Sequence, residues 1–513
     1  MNHSALEEDF LPEIKTRQTI IGAILILALI VFVRTAWIGD DAAITIRTVL
    51  NFIYGYGPTF NIDERVQAYT HPLWFLLISA FSSIFGNPFY VTFILSIVAS
   101  MLTFWLLLSQ ATNFYARLLA VMILLLSKAY VDFSASGLEN PLSHFLIISC
   151  VLLGYKALQK QQDDSQLICI FLCSIIYLSR PDLLILIGPF TVIIFLMACQ
   201  SPKCRIQAIV VFLFPILLWT AFSLIYYGFP FPNTAYAKLG TGISLKESAE
   251  QGLIYLIDSV ARDPITLPMI VFGIIVGMGS SSIEISLAVG CLLYLTYIIR
   301  IGGDFMSGRF LTSPLLVSSI LLSRSKFSIR QIKIVAIAAG ILGLANINAN
   351  FLSGRIYPGE PLNVPLNGIA DERGLYFQSR GLLLSARDSF DYPKWEANGI
   401  RNINMTCGGL GYASIMNGPA THYIDNCALA DPLLARLPAQ PNPKWRIGHF
   451  MRQIPANYVD SVRSGTNLLL DPVIKNYYDS IRIVTRGPLL SYERLREILR
   501  LNLGLIKKPG SVL

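Results

Sequence analysis

The sequence predicts an α-helical polytopic membrane protein with its polar loops gathered on one side. Three observations predict it. The 513 residues are 54% hydrophobic and only 14% charged, with a mean hydropathy of +0.56, which excludes an ordinary soluble enzyme. Apolar runs recur at close to the roughly 20 residues that a helix needs to cross a hydrocarbon core of about 30 Å. Basic residues and unusual polar motifs fall in alternating connections, as expected when Lys and Arg are retained on the cytoplasmic side.

The first nineteen residues are polar and mostly acidic. They lack the basic start and small-residue cleavage site of a signal peptide, so residues 20–38 read as an uncleaved first span. Further apolar segments are expected at 72–86, 89–109, 115–130, 140–158, 166–180, 182–199, 206–227, 266–279, 282–299, 310–323 and 332–350. Basic clusters lie at Lys156 and Lys160, at Lys203 and Arg205, and at Arg324, Lys326, Arg330 and Lys333. With a cytoplasmic N-terminus, all three fall inside only if one segment does not cross. Residues 72–86 are short and begin with Pro72, so this segment is expected in or at the outer interface, leaving about 11 transmembrane helices. The alternative is an outside N-terminus with twelve crossings.

The eleven-span arrangement puts 39–88, 131–139, the turn at Arg180, 228–265 and 300–309 on the outer face. Residues 1–350 then form the membrane domain. Residues 351–513, rich in Pro, Gly, Asn and charge, form a small C-terminal α/β domain on the same side. Within it "CGGLGYAS" and "THYIDNCALAD" read as short strands with turns, and 488–502 as an amphipathic helix.

The outer loops hold the candidate site. "WIGDDAAITIRTVLNFIYGYGPTFNIDERVQAYTHPLW" places Asp40 and Asp41 directly after the first span, with Arg47 and His71 downstream. "VDFSASGLENPL" carries Glu139 and Asn140. "LSRPD" carries Arg180 and Asp182. "FPNTAYAKLGTG" carries Asn233, Tyr236 and Lys238, and "RIGGDFMSGRF" carries Asp304 and Arg309. Ionisable groups this close to a bilayer are costly and point to function. One aspartate is explained by a helix start. The second is not, because adjacent carboxylates repel. A helix beginning at Asp40 puts Asp40, Ile44, Arg47 and Asn51 on one face. An aspartate here could act as a general base or hold a divalent cation, and the spacing does not separate the two. Glu139 also suits a helix cap. Arg180 suits interfacial snorkelling. Lys238 and Arg309 suit an anionic lipid phosphate. His71, before a proline, reads as structural. Trp395 and Trp445 could stack on sugars or fill a core.

Six stretches in order resemble the terminal β-(1→2)-arabinofuranosyltransferases, a family of GT-C membrane glycosyltransferases. They are "GDDAAITIRTVLNFIYGYGPTFNIDERVQAYTHPLW", "SGLENPL", "SRPD", "PNTAYAKLG", "GGDFMSGRF" and "ALADPLLARLPAQPNPKWRIGHF". The resemblance implies a GT-C-like fold with juxtamembrane helices in the first outer loop. It implies a polyprenyl-phosphate-linked arabinofuranose donor and transfer on the periplasmic face of a bacterial inner membrane. It also implies an essential aspartate in the first outer loop, where Asp40 and Asp41 are the matching positions. The acceptor would be a surface glycan or a pilin-like protein, and no nucleic-acid partner is expected. In that oxidising setting Cys407 and Cys427, twenty residues apart, suit a disulfide. Three alternatives stay open: another sugar, a transporter, or a motility-assembly factor without catalysis. Transporters place ionisable groups near the midplane, whereas here the spans carry few charges and the polar groups gather on one face.

Overall fold

The computed structural model describes residues 14–110, 112–160, 163–345, 365–384 and 386–510. α1 (Ile14–Thr35) leads into α2 (Asp40–Ile53), which opens on the aspartate pair. α3 (Pro72–Phe85), α4 (Pro88–Leu108), α5 (Phe114–Leu126) and the short α6 (Lys128–Phe133) follow. Next come α7 (Asn140–Lys160), α8 (Asp163–Ser179), α9 (Leu183–Ala198) and α10 (Pro202–Tyr226). α11 (Asn233–Ala237) and α12 (Leu245–Arg262) connect to α13 (Thr266–Met278), α14 (Ser282–Ile301), α15 (Thr312–Ser323) and α16 (Ile329–Leu344). The protein is a helical, multi-pass membrane protein. Among the described residues α1, α4, α7, α10 and α14 are long and apolar enough to cross a bilayer, while α12 and α13 meet at a bend of 107°. α3, α5, α8, α9 and α15 are shorter apolar helices. The last expected span, 332–350, corresponds to α16, and its end from 346 lies outside the described residues, as does the expected domain boundary at 350/351.

α3 is tied down at both ends. At its start, His71 Nε2 lies 2.8 Å from Thr45 Oγ1 and Nδ1 lies 3.2 Å from Glu139. Just past its end, Asn87 donates to the Phe390 carbonyl at 2.9 Å. Both ends therefore contact loops of one face. The α3 indole at Trp74 donates to the Gly137 carbonyl at 3.0 Å.

The C-terminal part packs on this face. It contains α17 (Glu372–Arg380), β1 (Asn402–Thr406), α18 (Leu410–Met416), β2 (Thr421–Asp425), α19 (Tyr458–Ser464), α20 (Pro472–Arg486) and α21 (Tyr492–Asn502). β1 and β2 pair in parallel from Asn402↔Thr421 to Thr406↔Asp425. Cys407 and Cys427, just past the two strand ends, are bonded to each other with Cα atoms 5.1 Å apart. The expected strand in "CGGLGYAS" is instead the helix α18. The reason is tertiary. Gly409 takes a left-handed φ of 63° as the N-cap, a conformation glycine adopts without a Cβ clash. The first free amides of α18 are then capped by a side chain from α2, as described below. Trp395 is core: it is 1% exposed and donates to Asn51 Oδ1 at 3.0 Å.

Candidate active site

α2 begins directly at Asp40, with Gly39 as an N-cap that offers no side chain. Both carboxylates therefore sit in its first turn, favoured there by the helix dipole. They line a cavity of about 360 Å³ whose other walls are Phe305, Glu372, Tyr376, Gly408, the Cys407–Cys427 bridge, Arg446 and His449. One wall comes from the first loop, one from the 300–309 loop and the rest from the C-terminal part.

The two aspartates have different jobs. Asp40 accepts the amides of Gly411 and Tyr412, each at 3.0 Å. It caps α18 across 371 residues of sequence and clamps the C-terminal part to α2. Helix α18 comes so close that a Cβ on Gly411 would stand 2.1 Å from the Asp40 carbonyl oxygen. Asp41 accepts no hydrogen bond among the described residues and faces the cavity. Burial pushes its carboxyl up to about 6, Asp40 and Asp304 push the same way, and Arg309 and Lys238 oppose them. An unbonded carboxylate with a lifted pKa is equipped to take a proton.

Behind Asp41 lies a buried charge cluster around Glu139. Glu139 Oε1 receives Arg309 at 3.0 Å and stands 3.7 Å from Arg180, while Oε2 faces His71 at 3.2 Å. Burial alone would raise Glu139, but Arg309, His71 and Arg180 together hold it well below the usual carboxylate range. Arg180 also forks onto Asp182 at 2.6 and 3.2 Å, and Tyr294 donates to Asp182. Arg309 lies 3.6 Å from Asp304. Fixed in this way, Arg309 is a preorganised cation beside Asp41, and Lys238 is an exposed one. Asn140 donates to Thr312 Oγ1 at 3.1 Å and is buried beneath the cluster.

No family model matches the chain. It is 28% identical over 418 residues to the terminal β-(1→2)-arabinofuranosyltransferase of Mycobacterium tuberculosis, covering 70% of this chain and 66% of that protein. It is 30% identical over 336 residues to the protein of the same name from Corynebacterium glutamicum, covering 54% and 46%. The chain is thus similar to two terminal β-(1→2)-arabinofuranosyltransferases. Each match covers less than two thirds of the relative's own length.

Several of the candidate residues make contacts within the frame around the cavity. Arg47 is wholly buried. It donates to the carbonyls of Phe60 at 2.9 Å and Thr421 at 2.9 Å, and also to those of Ser414 and Gly418, so four of its five N–H groups are committed to backbone. Asn233 donates to the Ala428 and Asp431 carbonyls at 3.0 Å and accepts Arg436 at 3.0 Å. It latches the 228–265 connection to the C-terminal part. Tyr236 stacks under Arg436, 4.4 Å from its ring centre. His71 bridges Thr45 and Glu139.

The residues that sequence reasoning passed over come from the C-terminal part. Glu372 pairs with Arg446 at 3.2 Å and is pushed up to about 8 by burial and by Asp41, against Arg446. His449 is pushed down to about 4 by burial and Arg446. Arg446 and His449 stand in "PKWRIGHF", one of the stretches that carries the family resemblance, which was a usable signal. Glu372 had none. Among the described residues no three His, Cys, Asp or Glu side chains are placed to hold a metal ion. Each oxygen of Asp40 accepts one backbone amide, which leaves Asp41 the freer carboxylate of the pair.

Proposed function

We propose that this chain is a membrane glycosyltransferase that moves a pentose, arabinofuranose, from a polyprenyl-phosphate donor to a surface glycan or protein acceptor. The observation that carries the reading is Asp41: a carboxylate without a hydrogen bond, lifted in pKa, facing a cavity at the end of a membrane helix. The names of the two relatives support the sugar. Residues 1–350 would be the membrane domain and 351–513 the domain that helps choose the acceptor. The site would face the periplasm, with the chain in the bacterial inner membrane.

In this mechanism Asp41 takes the proton of an acceptor hydroxyl. The hydroxyl oxygen forms its bond to the anomeric carbon of the donor. The bond from that carbon to the phosphate oxygen breaks, and its electron pair leaves on polyprenyl phosphate. Arg309 and Lys238 meet the growing phosphate charge. Phosphate leaves readily, so positioning supplies much of the rest. Asp40 holds the acceptor wall in place and Glu139 holds Arg309. The arrangement also explains why two anions stand at the mouth of the first span. A lipid donor keeps its tail in the bilayer and its phosphate at the interface, so the base must stand where a membrane helix ends.

The test uses purified protein in detergent with synthetic polyprenyl-phosphoryl-arabinofuranose and a panel of glycan and pilin acceptors. Wild type is expected to consume donor and yield arabinosylated product, and Asp41→Asn to do neither. Use of a different polyprenyl-phosphate sugar would keep the mechanism and remove arabinose. No turnover of any such donor would remove the enzyme reading.

A further inference from the structure

The C-terminal helix α21 carries an apolar stripe on the side away from its own core. Tyr492, Leu495, Leu499 and, at the C-cap, Leu503 follow one another at helical spacing. Tyr492 is 81% exposed, Leu499 60% and Leu503 69%, with Leu490 at 72% on the approach. A contiguous stripe of this kind on a water-facing surface marks a binding face. Arg496 and Arg500 flank it, both reaching back to Glu497, and Lys507 follows, exposed.

What covers the stripe is fixed by where α21 is anchored. Its inner face carries Arg494, which is wholly buried. Arg494 donates to the carbonyls of Ile225 at 2.7 Å and Tyr226 at 2.8 Å, and to Val484 at 2.7 Å. Asn502 donates to the Gly228 carbonyl at 2.8 Å. Ile225 and Tyr226 are the last residues of α10. α10 is long and apolar enough to span a bilayer, and only 17% of its apolar window is buried inside the protein. Its outward residues, among them Val210, Phe214 and Leu217, are therefore lipid-facing. α21 sits on the end of a lipid-clad helix, at the depth where hydrocarbon gives way to headgroups. An apolar stripe flanked by Arg and Lys is what an in-plane interfacial helix presents there, with cations matched to lipid phosphate.

We propose that α21 is an interfacial membrane anchor: its Tyr492–Leu495–Leu499–Leu503 stripe lies in the headgroup region of the bilayer and holds the C-terminal part down on the membrane. Phospholipid is the occupant, in continuity with the lipid around α10. The inference is independent of the proposed chemistry, and its test needs no substrate.

The full chain is placed in phospholipid nanodiscs with a nitroxide on Leu499→Cys. The free native cysteines Cys150, Cys169, Cys173, Cys199, Cys204 and Cys291 are all buried, so labelling is directed to the new thiol. Leu217→Cys on α10 is the lipid reference and the exposed Lys475→Cys on α20 the water reference. Collision with apolar oxygen and with a water-soluble nickel chelate is then compared. The Leu499 label is expected to match the lipid reference more closely, with the oxygen-to-nickel ratio raised several-fold over Lys475. A nickel accessibility equal to that of Lys475 overturns the proposal. So does shielding from both reagents with dipolar broadening, which would make a second copy of this chain the occupant. If Leu499→Cys does not fold, Leu503→Cys, beyond the last helical turn, carries the same comparison.

Discussion

Asp40 and Asp41 are neighbours in sequence and opposites in environment, and their substitutions should separate. Asp41→Asn removes the proposed base and no hydrogen bond of the frame. It is expected to lower turnover by about 10²–10⁴-fold, read as product formed per time. Because Asp41 must be ionised to act, the rate in wild type should rise with pH through about 6. The stability effect has the opposite sign. A folded pKa above the ordinary 3.8 means the contribution of Asp41 is fully present below pH 3.8 and is lost as pH rises through about 6. Asp41→Asn should therefore melt higher than wild type at neutral pH. A lower melting point would show that Asp41 is a structural group. Asp40→Asn should instead lower the melting temperature, because the Nδ2 of asparagine cannot accept the second of the two amides, Gly411 and Tyr412, that the carboxylate caps. Glu372 follows the Asp41 rule in a higher window: its contribution is present below pH 4.5 and lost through about 8. Glu372→Gln should leave stability at pH 4 little changed and raise it at pH 9. An equal shift at both pH values would count against a protonated Glu372 in the resting protein.

At the scale of elements, the site depends on how α2 and the β1–α18–β2 unit are tied. Arg47 is the central tie, since one guanidinium joins the Phe60 carbonyl of the first loop to three carbonyls at 414–421. Arg47→Ala leaves those buried carbonyls unpaired and should cost at least the roughly 1–3 kcal/mol of one unsatisfied buried group, measured by denaturation in detergent. A cost under about 1 kcal/mol would mean the unit is held elsewhere. The Cys407–Cys427 bridge closes a loop of 20 residues beside the cavity. Chain entropy puts its worth at about 3 kcal/mol. Its reduction should lower the melting temperature and speed amide exchange over 408–412. The element-level misreading of "CGGLGYAS" has the same root. Its glycines and small residues read as strand and turn, and only the carboxylate arriving from α2 makes a helix of "LGYASIM".

For the whole molecule, loops far apart in sequence meet because a chain crossing a membrane must deliver alternate connections to the same face. Glu139 gathers Arg180, Arg309 and His71 from three of them. The C-terminal part is bound to that face by Asp40, Arg47, Asn233 and Arg494 rather than by a linker alone. Expressed alone as residues 365–513, it should lose the protection of the Gly411 and Tyr412 amides against hydrogen exchange, since their acceptor lies on α2. Full protection in the isolated fragment would make it self-sufficient.

By itself the sequence determined the helical membrane class, the loops that converge and the aspartate pair, because hydrophobic length and charge placement act locally along the chain. Tertiary structure alone decided which aspartate is free, that Arg47 and Asn233 are braces, and that Glu372 and Arg446 share the cavity. Those assignments rest on which backbone amides and carbonyls a side chain meets. In this fold the deciding partners lie up to 374 residues away, beyond the reach of any periodicity or spacing.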